Sequence, residues 1–80
     1  MKIKRLLIAN RSEIAVRIIR TCKKLNIHTI CIYSEADSDS VFVKLADEAH
    51  FIGSATAAES YLNIPKIIEV CKKVNADAVH

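Results

Sequence analysis

Arg11 is the residue whose type and position best suit it to chemistry. It stands in the turn Asn10-Arg11-Ser12-Glu13, between the apolar run Arg5-Leu6-Leu7-Ile8-Ala9 and a helix-patterned stretch from Ile14 to Leu25. A strand-length run, a short polar turn and then a 3.6-residue period is how a βα unit begins. Such a turn lies at the carboxyl end of a strand and the amino end of a helix, where α/β proteins bind ligands. A guanidinium there can hold an anion or a neighbouring domain's carboxylate, or it can serve packing alone. A dinucleotide site would need Gly-x-Gly-x-x-Gly in this turn, so that backbone could approach a pyrophosphate. Residues 9–13 contain no glycine and the chain has no Walker A loop, which argues against NAD or FAD.

The other candidates each have a plain alternative. Glu35 follows the second strand, where dinucleotide folds put a ribose-binding acid, but without the glycines it reads as a solvated loop carboxylate. Asp37 and Asp39 form an Asp-x-Asp that suits a divalent cation less well than it suits a turn and helix cap. His28, His50 and His80 match no metal-ligand spacing, so no metal site is expected. Cys22, Cys31 and Cys71 include no Cys-x-x-Cys and read as buried free thiols in a reducing compartment. Arg17, Arg20 and Lys24 recur with Glu13 at helical spacing and form one stripe, either a solvated face or a protein interface. Glu13 can pair with Arg17, which leaves Arg20 and Lys24 free.

The elements that must position these residues follow from pattern. Asn10 or Ser12 is the expected N-cap of the first helix, whose apolar face is Ile14, Ile18, Cys22 and Leu25, widened by Ala15 and Ile19. Asn26 is its left-handed stop. Thr29 to Tyr33 is a β-branched run without alternation, as in a strand covered on both faces. Residues 35–40 form an acidic loop whose last Asp or Ser caps a short helix, Val41 to Ala46; a strand from Ala49 to Ile52 closes at Gly53, and residues 54–60 form a loop. Asn63 caps a second long helix with Pro65 in its first turn, an apolar face of Ile64, Ile67, Ile68 and Cys71, and an end at Asn75. Ala76 to His80 opens a fourth strand. The order implies right-handed crossovers and a parallel sheet. A strand with no turn or helix after it reads as a fragment of a longer protein.

Composition sets the bounds. Eighty residues permit one domain, and 51% of them are hydrophobic, more apolar material than so short a chain hides easily. An exposed apolar surface, covered by some further segment or partner, is expected. Twelve Lys and Arg against nine Asp and Glu give a mild, scattered +3, which does not suggest nucleic acid. No run approaches the roughly 20 apolar residues of a membrane helix, and no signal peptide is present. The chain reads as cytoplasmic.

Taken together, Leu7-Ile8-Ala9-Asn10-Arg11-Ser12-Glu13-Ile14-Ala15, Arg17-Ile18-Ile19-Arg20, Ala46-Asp47-Glu48-Ala49, Ile52-Gly53, Ser60-Tyr61-Leu62-Asn63 and Ala78-Val79-His80 resemble the amino-terminal domain of biotin carboxylase. This module is shared by acetyl-CoA, propionyl-CoA and related acyl-CoA carboxylases and by pyruvate carboxylase. The resemblance implies an α/β, Rossmann-like parallel sheet with flanking helices, a pre-ATP-grasp domain truncated after its fourth strand, so that residues 1–80 are an incomplete domain lacking the ATP-grasp and carboxy-terminal domains. It implies an ATP-dependent ligase that activates bicarbonate and carboxylates carrier-borne biotin, inactive as this piece alone, with ATP, Mg²⁺ and biotin as cofactors of the whole enzyme. His80 matches the first residue of a loop near the biotin site. The stripe of Arg17, Arg20 and Lys24 matches a helix used in a homodimer contact, and the remaining partners are the ATP-grasp domain and the biotin carboxyl carrier. Ser12 replaces the family's usual Gly, Phe42 a frequent His, and Phe51 a smaller residue. The alternative is a stand-alone α/β binding or assembly module without catalysis.

Overall fold

A computed structural model of the chain describes residues 3–53 and 61–80, and the loop expected at 54–60 lies outside the described residues. The elements are β1 (Arg5–Ile8), α1 (Ser12–Lys24), β2 (His28–Ser34), a 3₁₀ turn (Glu35–Asp37), α2 (Val41–Leu45), β3 (Glu48–Gly53), α3 (Ile64–Val74) and β4 (Ala78–Val79). The four strands form one parallel sheet in the order β3-β2-β1-β4. The expected fold class is therefore observed, and the expected strands are lengthened by a residue or two in β2 and β3.

Two cores cover the two faces, as the unalternating pattern of β2 requires. Ile8 and Cys31 pack under α1 and α2 against Ala15, Ile19 and Phe42. Leu7, Ile30, Ile32 and Ile52 pack on the other face against Ile67, Val74 and Tyr61. The change of face has a topological cause. From β1 to β3 the chain steps one way across the sheet, then returns past β1 to β4, and crossovers of one hand must then place α3 opposite α1 and α2.

Both long helices sit rotated from the faces expected of them. In α1 the buried stripe is Ala15, Ile19 and Cys22, whereas Ile14 and Leu25 are 58% and 64% exposed. In α3 Ile67 and Val74 are buried, while Ile64 and Ile68 are exposed. Both helices are apolar over more than half a turn, so periodicity leaves the rotation open and contact with the sheet chooses it. The exposed apolar surface expected from composition includes these residues, Val41, Phe51, Leu62 and Val79. Phe42 is fully buried, and Phe51 lies exposed on β3 with its ring edge-on to Tyr33 at 5.7 Å.

The left-handed stops at Asn26 and Asn75 are observed, with φ of 58° and 56°. Asn63 caps α3 by accepting from the Lys66 N–H at 3.2 Å, with Pro65 in the first turn. Ser40 occupies the N-cap of α2 without a side-chain bond. The expected cap of α1 is corrected. Arg11 is its N-cap residue, no side chain caps the helix, and Ser12 is its first residue with φ at 53°. A Cβ in that left-handed region costs roughly 1–2 kcal/mol. Glycine brings its own unfolded-state penalty of roughly 0.5–1 kcal/mol. Ser12→Gly is therefore expected to gain up to about 1 kcal/mol and Ser12→Ala to be near neutral, whereas loss of a capping serine would destabilise by about 1 kcal/mol. Equilibrium urea unfolding of the two variants distinguishes these outcomes.

Candidate functional site

At the carboxyl ends of the strands, the turn after β1 meets the 3₁₀ turn after β2 and the residue after β4. Because β1 pairs with β2 on one side and β4 on the other, the crevice between β1 and β4 is the point at which strand order reverses.

Arg11 is engaged by the chain's own Asp37. Its Nε donates to Asp37 Oδ2 at 2.8 Å and its Nη2 to Oδ1 at 3.2 Å, a two-pronged fit of guanidinium to carboxylate. The same guanidinium lies over the Tyr61 ring, 4.8 Å from its centre. Tyr61 donates its hydroxyl hydrogen to Asp37 Oδ2 at 2.5 Å and accepts the Ser34 N–H at 3.0 Å. Three segments that are distant in sequence, at Arg11, Ser34 to Asp37 and Tyr61, are thus tied together at one carboxylate. The Arg11 guanidinium holds the Asp37 carboxyl below the usual carboxylate range, against the opposing effect of burial. Burial, and then the bond to Asp37, push the Tyr61 hydroxyl upward. The partner that sequence reasoning left open for Arg11, an anion or another domain's carboxylate, is therefore an internal one. Asp37 belongs to a turn and a tie, and Glu35 beside it is exposed.

Asn10 does not cap α1. Its Nδ2 lies 3.0 Å from both the carbonyl oxygen and the Nδ1 of His80, and it joins the crevice's two sides. Glu13 and Arg17 form the expected pair at 3.0 Å on the exposed face of α1. Arg20 and Lys24 are exposed and make no ion pair among the described residues. Arg17 and His80 share an open groove of about 320 Å³, floored by Leu6 and Ile18.

The amino ends of the strands carry a second polar network. Glu48 accepts from Arg5 at 2.7 Å and lies 2.6 Å from His28 Nε2, contacts that lower its pKa, the His28 bond foremost. Asp47 accepts from the Thr29 N–H at 2.8 Å, and Asp77 accepts from the N–H groups of Lys4 and Arg5 at 2.9 Å each. These backbone bonds lower both aspartates. All three cysteines are free; Cys22 and Cys31 are buried, and burial raises the Cys31 thiol to about 11. Sequence reasoning missed the roles of Asp37 and Tyr61 in the tie and of Asn10 at His80. Each joins residues 24 or more positions apart, beyond any local period.

The described residues do not fit an ATP or Mg²⁺ site. No group of three or more His, Cys, Asp or Glu among them could hold a metal ion. At the amino end of α1 the Glu13 carboxylate opposes a phosphate and Arg11 is already paired. The geometry suits a load-carrying turn that frames a crevice.

Asp37→Asn is expected to lower stability by about 2 kcal/mol, within the range for hydrogen bonds to charged groups and reduced because Arg11 is 43% exposed. A folded-state pKa held below the ordinary value means that the unfolded chain binds more protons. Asp37 therefore contributes fully above about pH 4 and loses its contribution as pH falls through its folded value. Urea unfolding between about pH 3 and 7 should show a shallower acid decline in Asp37→Asn than in the parent chain.

The family model described as "Biotin carboxylase, N-terminal domain" matches residues 2–80. The chain is 64% identical over 77 residues to a biotin carboxylase of Halalkalibacterium halodurans, covering 96% of this chain and 17% of that protein. It is 54% identical over 76 residues to the mitochondrial propionyl-CoA carboxylase alpha chain of Homo sapiens, covering 95% of this chain and 10% of that one. Among solved structures, a biotin carboxylase-β,γ-ATP complex of Campylobacter jejuni superposes with a TM-score of 0.92 at 51% identity, over 98% of this chain and 18% of that one. The urea carboxylase of Kluyveromyces lactis superposes with a TM-score of 0.94 at 45% identity, over 96% of this chain and 7% of that one. The chain thus spans less than a fifth of the length of each of these relatives.

Proposed function

We propose, because the chain belongs to the biotin carboxylase amino-terminal domain family, that it is part of an ATP-dependent ligase that uses bicarbonate to carboxylate carrier-borne biotin. The observation that carries this reading is the unbroken match over residues 2–80, together with the parallel sheet that superposes on a biotin carboxylase. In this reading residues 1–80 are an incomplete domain, and ATP and Mg²⁺ are held by an ATP-grasp domain outside this stretch. When bound there, ATP supplies the phosphoryl group that activates bicarbonate.

The residues of this chain act by position. The tie of Arg11, Tyr61 and Ser34 at Asp37 makes the carboxyl end of the sheet a rigid wall, and rigid framing is how a scaffold contributes to a reaction carried out by groups elsewhere. His80, fixed beside β1, borders the biotin site. Arg20 and Lys24, exposed beside the Glu13 and Arg17 pair, face a second copy of the enzyme, where arginine's planar donors suit an interface. The biotin carboxyl carrier is the other partner. The unpaired thiols Cys22, Cys31 and Cys71 suit a reducing compartment such as the cytoplasm, and no helix among the described residues is long and apolar enough to cross a membrane.

Calorimetric titration of the 80-residue chain with ATP is expected to show no saturable binding, while the longer protein carrying this stretch should hydrolyse ATP in a bicarbonate- and biotin-dependent manner. Micromolar binding by the short chain, or no biotin carboxylation by the long one, would overturn the proposal. In the long protein, Arg17→Glu combined with Arg20→Glu should shift sedimentation from dimer toward monomer. An unchanged dimer would remove the interface from α1.

A further inference from the structure

Asn10 makes a pair of contacts that the proposed carboxylase function does not by itself require. The backbone of His80 is already fixed to β1 on both sides, its N–H donating to the Leu7 carbonyl at 3.0 Å and its carbonyl accepting the Ala9 N–H at 2.9 Å. The Asn10 carboxamide then spends both hydrogens of its nitrogen on the same residue, one toward the His80 carbonyl and one toward Nδ1, each at 3.0 Å. Chemistry assigns the amide orientation. A carbonyl oxygen can only accept, so the Asn10 atom that faces it must be the nitrogen. The ring atom facing that same nitrogen must accept as well. Nδ1 of His80 therefore carries no proton in this arrangement, and the ring proton resides on Nε2.

The identity of residue 10 matters for this outcome. An aspartate there would set a carboxylate against the His80 carbonyl and would call for a proton on Nδ1. An alanine would leave the ring without a fixed partner. Asn10 gives nothing to α1, whose N-cap makes no side-chain bond, so its side chain is committed to His80.

We propose that Asn10 is a positioning residue that holds His80 as the neutral Nε2–H tautomer at the point of strand-order reversal, so that the ring presents a hydrogen-bond donor to an acceptor oxygen bound in the crevice. Beside the crevice, His80 also borders an open groove of about 320 Å³ that runs along α1, lined by Leu6, Arg17, Ile18, Thr21 and Cys22. The ligand half of this inference rests on the proposed carboxylase function. The tautomer does not.

The test is long-range ¹H–¹⁵N correlation of the histidine-labelled longer protein, in which residue 80 carries a peptide carbonyl, near pH 8, above the ordinary histidine range. His80 in the parent chain should be predominantly Nε2–H, Asn10→Ala should mix the tautomers, and Asn10→Asp should move His80 to Nδ1–H or to the doubly protonated ring. His28 and His50, held at the opposite end of the sheet, report in the same spectrum that each variant is folded. Nδ1–H dominance in the parent chain, or the same tautomer in Asn10→Asp as in the parent, overturns the proposal, and the parent spectrum decides even if a variant fails to fold. In the longer protein, Asn10→Asp should raise the KM for biotin about tenfold, the equivalent of one hydrogen bond, with a smaller change in kcat. A flipped tautomer with unchanged KM overturns the ligand half. Absence of biotin carboxylation by the parent protein instead rejects the carboxylase function and leaves the tautomer result standing.

Discussion

A parallel sheet has two faces to keep from water, and a chain of 80 residues has little material with which to cover them. Here that constraint decides the placement of nearly everything else. The central strands β1 and β2 are apolar on both sides, α1 and α2 close one face, and α3 closes the other. A single helix on the second face leaves Ile68 and Val79 exposed on that side, while Phe51 is exposed on the β3 edge. The same reversal that moves α3 to its own face brings β4 beside β1. It thereby creates the crevice in which Asn10 meets His80.

The polar groups divide between the two ends of the sheet. At the amino ends, Asp47, Glu48 and Asp77 are held mostly by backbone N–H groups, Arg5 and His28, and they pin strand register. At the carboxyl ends, Asp37 ties Arg11, Tyr61 and Ser34, and Asn10 holds His80. The first set joins strands to strands, whereas the second joins the connecting turns. Turns at this end of a parallel sheet are where α/β proteins recruit function, and a tie that stiffens them presents a defined surface to whatever binds next.

Ser12 shows how a local departure is tolerated. Its left-handed backbone lies in the turn that carries Arg11, and the two bonds from Arg11 to Asp37 hold the neighbouring residue in place. Strain of about 1 kcal/mol is sustained because the surrounding contacts over-determine the turn.

By itself, the sequence determined what depends on local period and local stereochemistry. The unalternating Thr29 to Tyr33 run marked a strand buried on both faces, Asn26 and Asn75 marked helix ends through their tolerance of positive φ, and Asn63 with Pro65 marked a helix start. The Glu13 and Arg17 pair followed from four-residue spacing, and the quoted motifs carried the family. Only the tertiary structure decided the rotation of α1 and α3, because helices apolar over a broad arc can turn several faces to a sheet and packing selects among them. Only it turned Arg11 from a free guanidinium into the partner of Asp37, and Asn10 from a helix cap into the clamp on His80. Those pairings join residues 26 and 70 positions apart. No periodic signal reaches that far, since it is the closing of the sheet, and not the neighbouring sequence, that brings the partners within bonding distance.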